Sequence, residues 1–158
     1  MSARGFSAIG VSHAKHAVNI GTLWRTAHAF GCAFIFTVGA RYRRQASDTT
    51  CASRHVPLLH FATVDDLIEH LPHSCPLVGV ELDARSIALP AFTHTPTAAY
   101  LLGAEDHGLT TMERERCHRL VTIPGFARCL NVATAGSIVL YDRMVKGPGN
   151  VREKEIAA

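Results

Sequence analysis

Residues 98–109 read AAYLLGAEDHGL, an apolar run that passes directly into a loop with two glycines and two carboxylates. The run 98–102 has the length and composition of a buried strand, and residues 110–117 after the loop are predicted to form a short helix. A strand followed by a loop and a helix is the repeating unit of α/β folds. In such folds ligands bind beyond the carboxyl ends of the strands, so this polar loop is a candidate site.

The same alternation of strands and helices extends in both directions from this stretch. Further strands are predicted at residues 6–11, 33–38, 55–61, 77–81 and 120–123. Further helices are predicted at residues 19–30, 63–70 and 129–145, with Thr63 as the cap of the second. We therefore expect a mostly parallel sheet flanked by helices.

The 158 residues suit one domain, with 47% hydrophobic and 18% charged residues. We expect this domain to occupy residues 1–149 and a frayed tail to occupy residues 150–158. No apolar run is long enough to span a membrane, and the first residues do not resemble a signal peptide. The five cysteines include no C-x-x-C pair, which favours reduced thiols in the cytoplasm and no metal site.

The charge balance and the missing motifs narrow the function further. Lys and Arg number 16 against 13 Asp and Glu, and the resulting net charge of +3 permits a polyanionic partner without requiring one. The dinucleotide fingerprint G-x-G-x-x-G, the Walker loop and the G-x-S-x-G elbow are all absent. A small-molecule enzyme with another nucleotide cofactor is therefore disfavoured.

Three segments are candidates for the functional site. In 19–31, NIGTLWRTAHAFG, Asn19 and Arg25 could face one site, or be an ordinary helix cap and a solvated side chain. In 103–109 the carboxylates could face a ligand, or simply complement a helix dipole. In 123–133, IPGFARCLNVA, Asn131 either caps the following helix or points into a site.

These segments together resemble the three motifs of the SpoU, or TrmH-like, branch of the SPOUT RNA methyltransferases. The matching patterns are N-x-G-x-x-x-R-x-x-x-x-F-G, G-x-E-x-x-G-L, and I-P followed by C-L-N-V. The resemblance extends from about Ser7 to Lys146. It implies an α/β fold with a deep C-terminal trefoil knot, S-adenosylmethionine as cofactor, a homodimer, and methylation of a ribose 2′-oxygen in tRNA or ribosomal RNA.

The resemblance also assigns roles to individual residues. It implies that Asn19, Arg25 and Asn131 are catalytic. It implies a cofactor site lined by Val80, Gly103, Glu105, Gly108, Ile123, Cys129, Leu130 and Asn131. Two features depart from the family pattern: Cys129 stands where Ser is usual, and the loop after Pro124 is about two residues shorter. We expect Arg25 to orient the ribose and its phosphate, because a guanidinium stays protonated in proteins.

Basic residues near the first motif are candidates for RNA binding. They are Lys15, Arg25, Arg41, Arg43, Arg44 and Arg54. Tyr42, which lies between two of these arginines, could stack on an unpaired base. The alternative is that the basic loop is merely solvated. A chain with little room for an added RNA-binding domain favours tRNA. Ribosomal RNA is the second candidate substrate, and a member of the fold that binds cofactor or RNA without catalysis is the third possibility.

Overall fold

A computed structural model describes residues 5–42, 51–125 and 130–147. Its strands are β1 (Ser7–Ser12), β2 (Phe34–Val38), β3 (Leu58–Phe61), β4 (Leu77–Val80), β5 (Ile87–Ala88), β6 (Ala98–Leu102) and β7 (Arg119–Thr122). Its helices are α1 (Ala17–Ala29), α2 (Val64–His70), α3 (Thr111–Arg116) and α4 (Val132–Lys146), with short 3-10 turns at Cys51–Arg54 and Leu89–Ala91.

The seven described strands form one sheet in the order β3-β2-β1-β6-β4-β7-β5. Every pairing between these strands is parallel. The predicted mostly parallel α/β fold is therefore confirmed. The knot that the resemblance implies stays a prediction. The proposed boundary between domain and tail also stays a prediction, because residues 150–158 lie outside the described ranges.

Alternating side chains of the strands build a core on each face of the sheet. Ile9 and Tyr100 point to one face, where they pack with Leu23 of α1 and Leu140 of α4. On the other face the core includes Phe36, Leu67, Leu77, Leu101 and Leu109, which brings in α2 and the segment before α3. Burial on both faces explains why the strands are apolar runs rather than alternating ones.

Side-chain caps mark where α2, α3 and α4 begin, and the cap of α4 is Asn131. Thr63 accepts a hydrogen bond from the Asp66 amide, which confirms the predicted cap of α2. Thr110 and Glu113 form a reciprocal capping box at α3. Of the two alternatives for Asn19, the cap of α1 is wrong, because Asn19 lies inside the first turn, which begins after His16, and its side chain bonds elsewhere.

The predicted boundaries of the other strands and helices agree with the observed ones to within a few residues. β5, only two residues long, was not predicted, and among the described strands it pairs with β7 alone. Within the three described ranges, no helix is both long and apolar enough to cross a membrane.

Candidate active site

The carboxyl ends of β6, β4 and β7 lie side by side in the sheet. The segments that follow these strands include residues 103–110, 81–86, 123–125 and 130–131, and the segment after β1 leads into α1 beside them. Adjacent loops at the carboxyl edge of a parallel sheet form the usual crevice for a ligand. Two of the three predicted motifs are therefore neighbours because of the strand order.

Side chains from all three motifs meet in one hydrogen-bonded network at this edge. The Asn19 Nδ2 donates to Glu105 Oε1 at 2.7 Å, and the Asn131 Nδ2 donates to Asn19 Oδ1 at 3.0 Å. The Asn131 Oδ1 also accepts from the amides of Ala133 and Thr134, at 3.0 and 3.2 Å. The two alternatives for Asn131 are thus both realised, because one end of its amide caps α4 and the other joins the network.

Glu105 is the anionic centre of this network. Burial opposes its ionisation, but hydrogen bonds from Asn19 and from the backbone amides of Lys15 and His16 outweigh that effect and lower its pKa. An ionised carboxylate only accepts hydrogen bonds, so Glu105 fixes the Asn19 amide with its nitrogen towards the carboxylate. The free acceptor end of Asn19 is then turned towards Asn131.

The loop around Glu105 depends on two glycines. Gly108 has φ of +66°, and its backbone pairs with Ala104 through hydrogen bonds of 2.9 and 3.2 Å. A Cβ on Gly103 would lie 2.1 Å from the Gly108 carbonyl carbon, which a side chain cannot do without moving the backbone. The motif glycines therefore close the loop back on itself, and Glu105 in this loop contacts Asn19.

Sequence reasoning missed two carboxylates that hold this loop in place. Glu81, directly after β4, accepts hydrogen bonds from the amides of Leu109 at 2.6 Å and Leu82 at 2.9 Å. Glu113 is buried and accepts hydrogen bonds from Ser12 at the end of β1 and from Thr110. Burial opposes the ionisation of Glu113, but these hydrogen bonds outweigh it and lower its pKa. The sequence signal that could have identified Glu81 is its carboxylate directly after an apolar strand.

Apolar side chains lie at the ends of the same strands. Val80 and Ile123 are half-buried and pack against the main core, and Leu130 is 47% exposed. Partly uncovered apolar groups beside a few fixed polar ones are the composition of small-molecule sites. Cys129, the remaining predicted lining residue, lies outside the described residues.

Arg25 is separate from the network. It is exposed and makes no hydrogen bond or ion pair within the described part of the chain. Six residues of helix place it about 9 Å along α1 from Asn19 and roughly 120° around the axis. Since Asn19 is buried, the two residues do not line one surface of this helix.

The predicted RNA-binding residues fall into three groups. Lys15 forms an exposed ion pair with Asp106, which holds the pKa of that carboxyl at about 2. Arg41 and Arg54 are exposed, with no ion pair in the described ranges. Arg43 and Arg44 lie outside the described residues. Tyr42 is half-buried, and its ring contacts Trp24 edge-on, with centroids 6.1 Å apart.

The described residues include no cluster of three or more metal-binding side chains. Cys32, Cys75 and Cys117 are free thiols.

Comparison with known proteins adds a family match over most of the chain. The model of the SpoU rRNA Methylase family matches residues 8–141. The 23S rRNA (guanosine-2′-O-)-methyltransferase RlmB of Nitrosomonas europaea is 33% identical over 131 residues, which cover 78% of this chain and 50% of that protein. The RlmB of Acinetobacter baylyi is 29% identical over 136 residues, which cover 78% and 53%. The chain thus spans about half the length of these curated relatives.

Solved structures share the fold. An AdoMet-bound rRNA methyltransferase from Sinorhizobium meliloti matches with a TM-score of 0.76 and 25% identity, over 89% of this chain and 56% of that one. A structure described as giving insight into "the 2-OH methylation of C/U34 on tRNA" matches with a TM-score of 0.77 and 22% identity, over 90% and 91%. The A. aeolicus TrmH/SpoU tRNA modifying enzyme matches with a TM-score of 0.77 and 22% identity, over 99% and 86%.

Proposed function

The chain belongs to the SpoU rRNA methylase family, and from that premise we propose that it methylates the 2′-oxygen of a ribose in RNA. The observation that carries this proposal is the network of Asn19, Glu105 and Asn131. It joins all three family motifs at the carboxyl edge of the sheet, beside half-exposed apolar side chains. A site of this composition suits a ligand with an aromatic base and a polar chain.

The proposed methyl donor is S-adenosylmethionine, as in the AdoMet-bound relative. Val80, Ile123 and Leu130 would cover the adenine, while backbone groups of the loop from Gly103 to Gly108 would bond its edge. Cys129 and Asn131 are the other proposed contacts. When bound, the sulfonium supplies a methyl group whose departure leaves a neutral thioether, so no acid is needed to protonate the leaving group.

The chain's own residues then have to orient the ribose and allow its proton to leave. We propose that Arg25 holds the ribose and an adjacent phosphate in line with the methyl group, because positioning supplies most of the rate for such a transfer. In this position the ribose 2′-oxygen would accept the methyl group that the bound donor supplies. The hydroxyl proton passes to the phosphate or to water, since a guanidinium stays protonated. Asn19, Glu105 and Asn131 act as positioning residues around the donor.

The proposed substrate is tRNA, acted on in the cytoplasm, where the free cysteines of the chain would stay reduced. One protein with the same fold is described as acting on C/U34 of tRNA. Ribosomal RNA is the second candidate, favoured by the relatives named as 23S rRNA methyltransferases. Arg25, Arg41 and Arg54 support either RNA, with Lys15, Arg43 and Arg44 as further proposed contacts.

We also propose that the protein works as a homodimer. On α4, Tyr141, Met144 and Val145 are exposed to 56%, 44% and 54%, and their spacing places them on one stripe of the helix. On the neighbouring helix α1, Val18 is 64% exposed. Exposed apolar groups on adjacent helices are typical of an interface between copies of a chain.

The test uses labelled S-adenosylmethionine with separate pools of unmodified tRNA and ribosomal RNA, followed by digestion and identification of the labelled nucleoside. A 2′-O-methyl nucleoside from tRNA is the expected result, and label in ribosomal RNA alone would select the second candidate. Cofactor binding with no label in either pool would indicate a protein without catalysis.

Arg25→Ala tests the proposed orienting residue. It should lower turnover about 100-fold while cofactor affinity stays unchanged. Arg116→Ala, which removes an exposed arginine paired with Asp65, is the matched control. Unchanged turnover in the Arg25 variant would remove that residue from the mechanism.

A further inference from the structure

The charge of the chain is divided unequally along its length. Residues 1–64 contain seven Lys and Arg and a single acid, Asp48, which gives a net charge of +6. Residues 65–158 contain nine Lys and Arg and twelve Asp and Glu, which gives −3. Elements from the first part therefore provide a surface suited to a polyanion, and α1 and the Cys51–Arg54 turn contain no carboxylate.

Two histidines on these elements stack face to face. His28 lies in the last turn of α1, and His55 directly follows the Cys51–Arg54 turn. Their ring centroids are 4.6 Å apart and their planes differ by 1°. Both residues are exposed, so the pair lies at the surface and does not fill a core.

A buried hydrogen bond holds the two segments in this arrangement. The Trp24 Nε1 donates to the Val56 carbonyl at 2.8 Å, and both residues are buried. Trp24 lies one helical turn before His28, while Val56 is adjacent to His55. The stacked pair is therefore fixed by the core beneath it and does not depend on two free side chains meeting at the surface.

Arginines flank the pair on both segments. Arg25 lies one turn before His28 on the same side of α1, since residues three apart are neighbours on a helix surface. Arg54 is adjacent to His55, and both arginines are exposed without an ion pair in the described ranges. Aromatic faces between guanidinium groups are the combination that binds single-stranded nucleic acid, with stacking on bases and charge on phosphates.

We propose that the His28–His55 pair is a stacking platform for an unpaired nucleobase of the RNA substrate, with Arg25 and Arg54 contacting the flanking phosphates. This inference rests on the proposed function and adds the kind of RNA that the site accepts. A base in a duplex keeps both faces covered by its neighbours, whereas a base in a loop can move out and stack on the protein. The platform therefore selects RNA with an unpaired nucleotide next to the target ribose.

The test compares equilibrium binding of two RNAs by fluorescence anisotropy: a hairpin with an unpaired loop, and a fully paired duplex of the same length. His28→Ala and His55→Ala should each weaken binding of the hairpin about 10-fold and leave duplex binding unchanged. His28→Phe and His55→Phe keep an aromatic ring without a charge, so they should bind the hairpin within about 2-fold of the wild type. His73→Ala, which removes an exposed histidine outside this surface, is the control.

Several outcomes would overturn the platform. Phe variants as weak as the Ala variants would mean that charge or hydrogen bonding acts there instead of stacking. Equal losses on hairpin and duplex would also contradict it, as would a changed elution volume or a lowered melting temperature, which would assign the pair to assembly or folding. If the wild type methylates RNA while the Ala variants bind it normally, this inference fails alone. If the wild type neither binds nor methylates RNA, the proposed function fails with it.

Discussion

Two polar networks fasten α4 to opposite ends of β6, and they differ in how completely the protein satisfies them. At the carboxyl end, Asn131 links the start of α4 to Asn19 and, through it, to Glu105. At the amino end, Asp142 and Arg143 in the last part of α4 bond to a histidine and a tyrosine. Both networks involve α4, and they lie at opposite ends of β6, so the comparison contrasts the surroundings of two networks on one helix.

The amino-end network is closed. His94 Nε2 donates to Asp142 at 2.9 Å, because a carboxylate can only accept, and His94 Nδ1 therefore accepts from the Tyr100 hydroxyl at 2.6 Å. Arg143 donates to the same hydroxyl oxygen at 3.1 Å and to the carbonyls of Thr95 and Pro96. The side chain of His94 and the whole of Tyr100 are fully buried.

The carboxyl-end network is open by comparison. Asn131 is exposed, Glu105 is partly exposed, and half-buried Val80 lies at the end of the neighbouring strand. A buried, satisfied network makes one arrangement of the fold rigid, whereas a partly exposed one keeps atoms available for a ligand. We therefore expect changes at the carboxyl end to affect activity and changes at the amino end to affect stability.

The largest expected effect is from Glu105→Gln at the carboxyl end. The amide keeps the shape of the carboxylate but lacks its charge and one of its acceptors, so it can no longer accept from Asn19 and from both amides of Lys15 and His16. Turnover should fall about 100-fold, since small misplacements around a reacting centre cost that much. The melting temperature should change by only about 3 °C. Asp106→Asn, which alters the adjacent exposed carboxylate, is the control, and a large loss of stability in Glu105→Gln would break the comparison.

The second prediction is the opposite pattern for Tyr100→Phe. Loss of the hydroxyl leaves His94 Nδ1 without its donor and removes one acceptor of Arg143, all in a buried setting. The free energy of unfolding should fall by about 2 kcal/mol, as measured by urea denaturation. Turnover of the folded protein should stay within about 2-fold. Thr93→Val removes an exposed hydroxyl next to His94 and should change neither quantity.

The smallest effect is a pH dependence that separates the two ends. Burial lowers the pKa of His94, and Arg143 and Lys146 lower it further, against the opposing effect of Asp142. A histidine whose pKa is lower in the folded state stabilises the fold above about pH 6.5 and loses that contribution as the pH falls. Glu105 and Glu113, also with lowered pKa values, lose theirs only below about pH 4.3.

Denaturation across pH should therefore show stability falling in two stages. His94→Gln should flatten the profile between pH 7 and 5 and leave the acidic stage intact. A profile unchanged by this substitution would mean that the amino-end network does not sense pH.

The elements of the fold were predictable because most of them are long apolar runs with clear ends. The strand 98–102 was predicted with its observed bounds, and Thr63 marked the start of α2. β5 could not be predicted, because a two-residue strand exists only through its pairing with β7. Local position could not decide whether Asn19 caps α1 or faces a site, because the carboxylate that binds its side chain lies 86 residues away.

The grouping of the three motifs was predictable only by resemblance to a family, and the bonds between them were not predictable at all. Nothing in the sequence pairs Asn19 with Asn131 or places Glu81 against Leu109, because partners so distant along the chain are set by the strand order. Nothing local to His94, Tyr100 or Asp142 indicated that they form a network, because Asp142 lies 48 residues from His94 along the chain. Capping positions were predictable because their partners lie three residues away.

The hydrogen bond between Asn19 and Asn131 spans 112 residues of sequence, and this has a consequence in time. During synthesis at about 5–20 residues per second, roughly 6 to 22 seconds separate the emergence of the first partner from that of the second. Throughout that interval the nascent chain lacks the third motif, although the second motif is synthesised before the interval ends. Competence to bind a ligand at this edge thus arrives near the end of translation, and any chain terminated before Asn131 is released without the network.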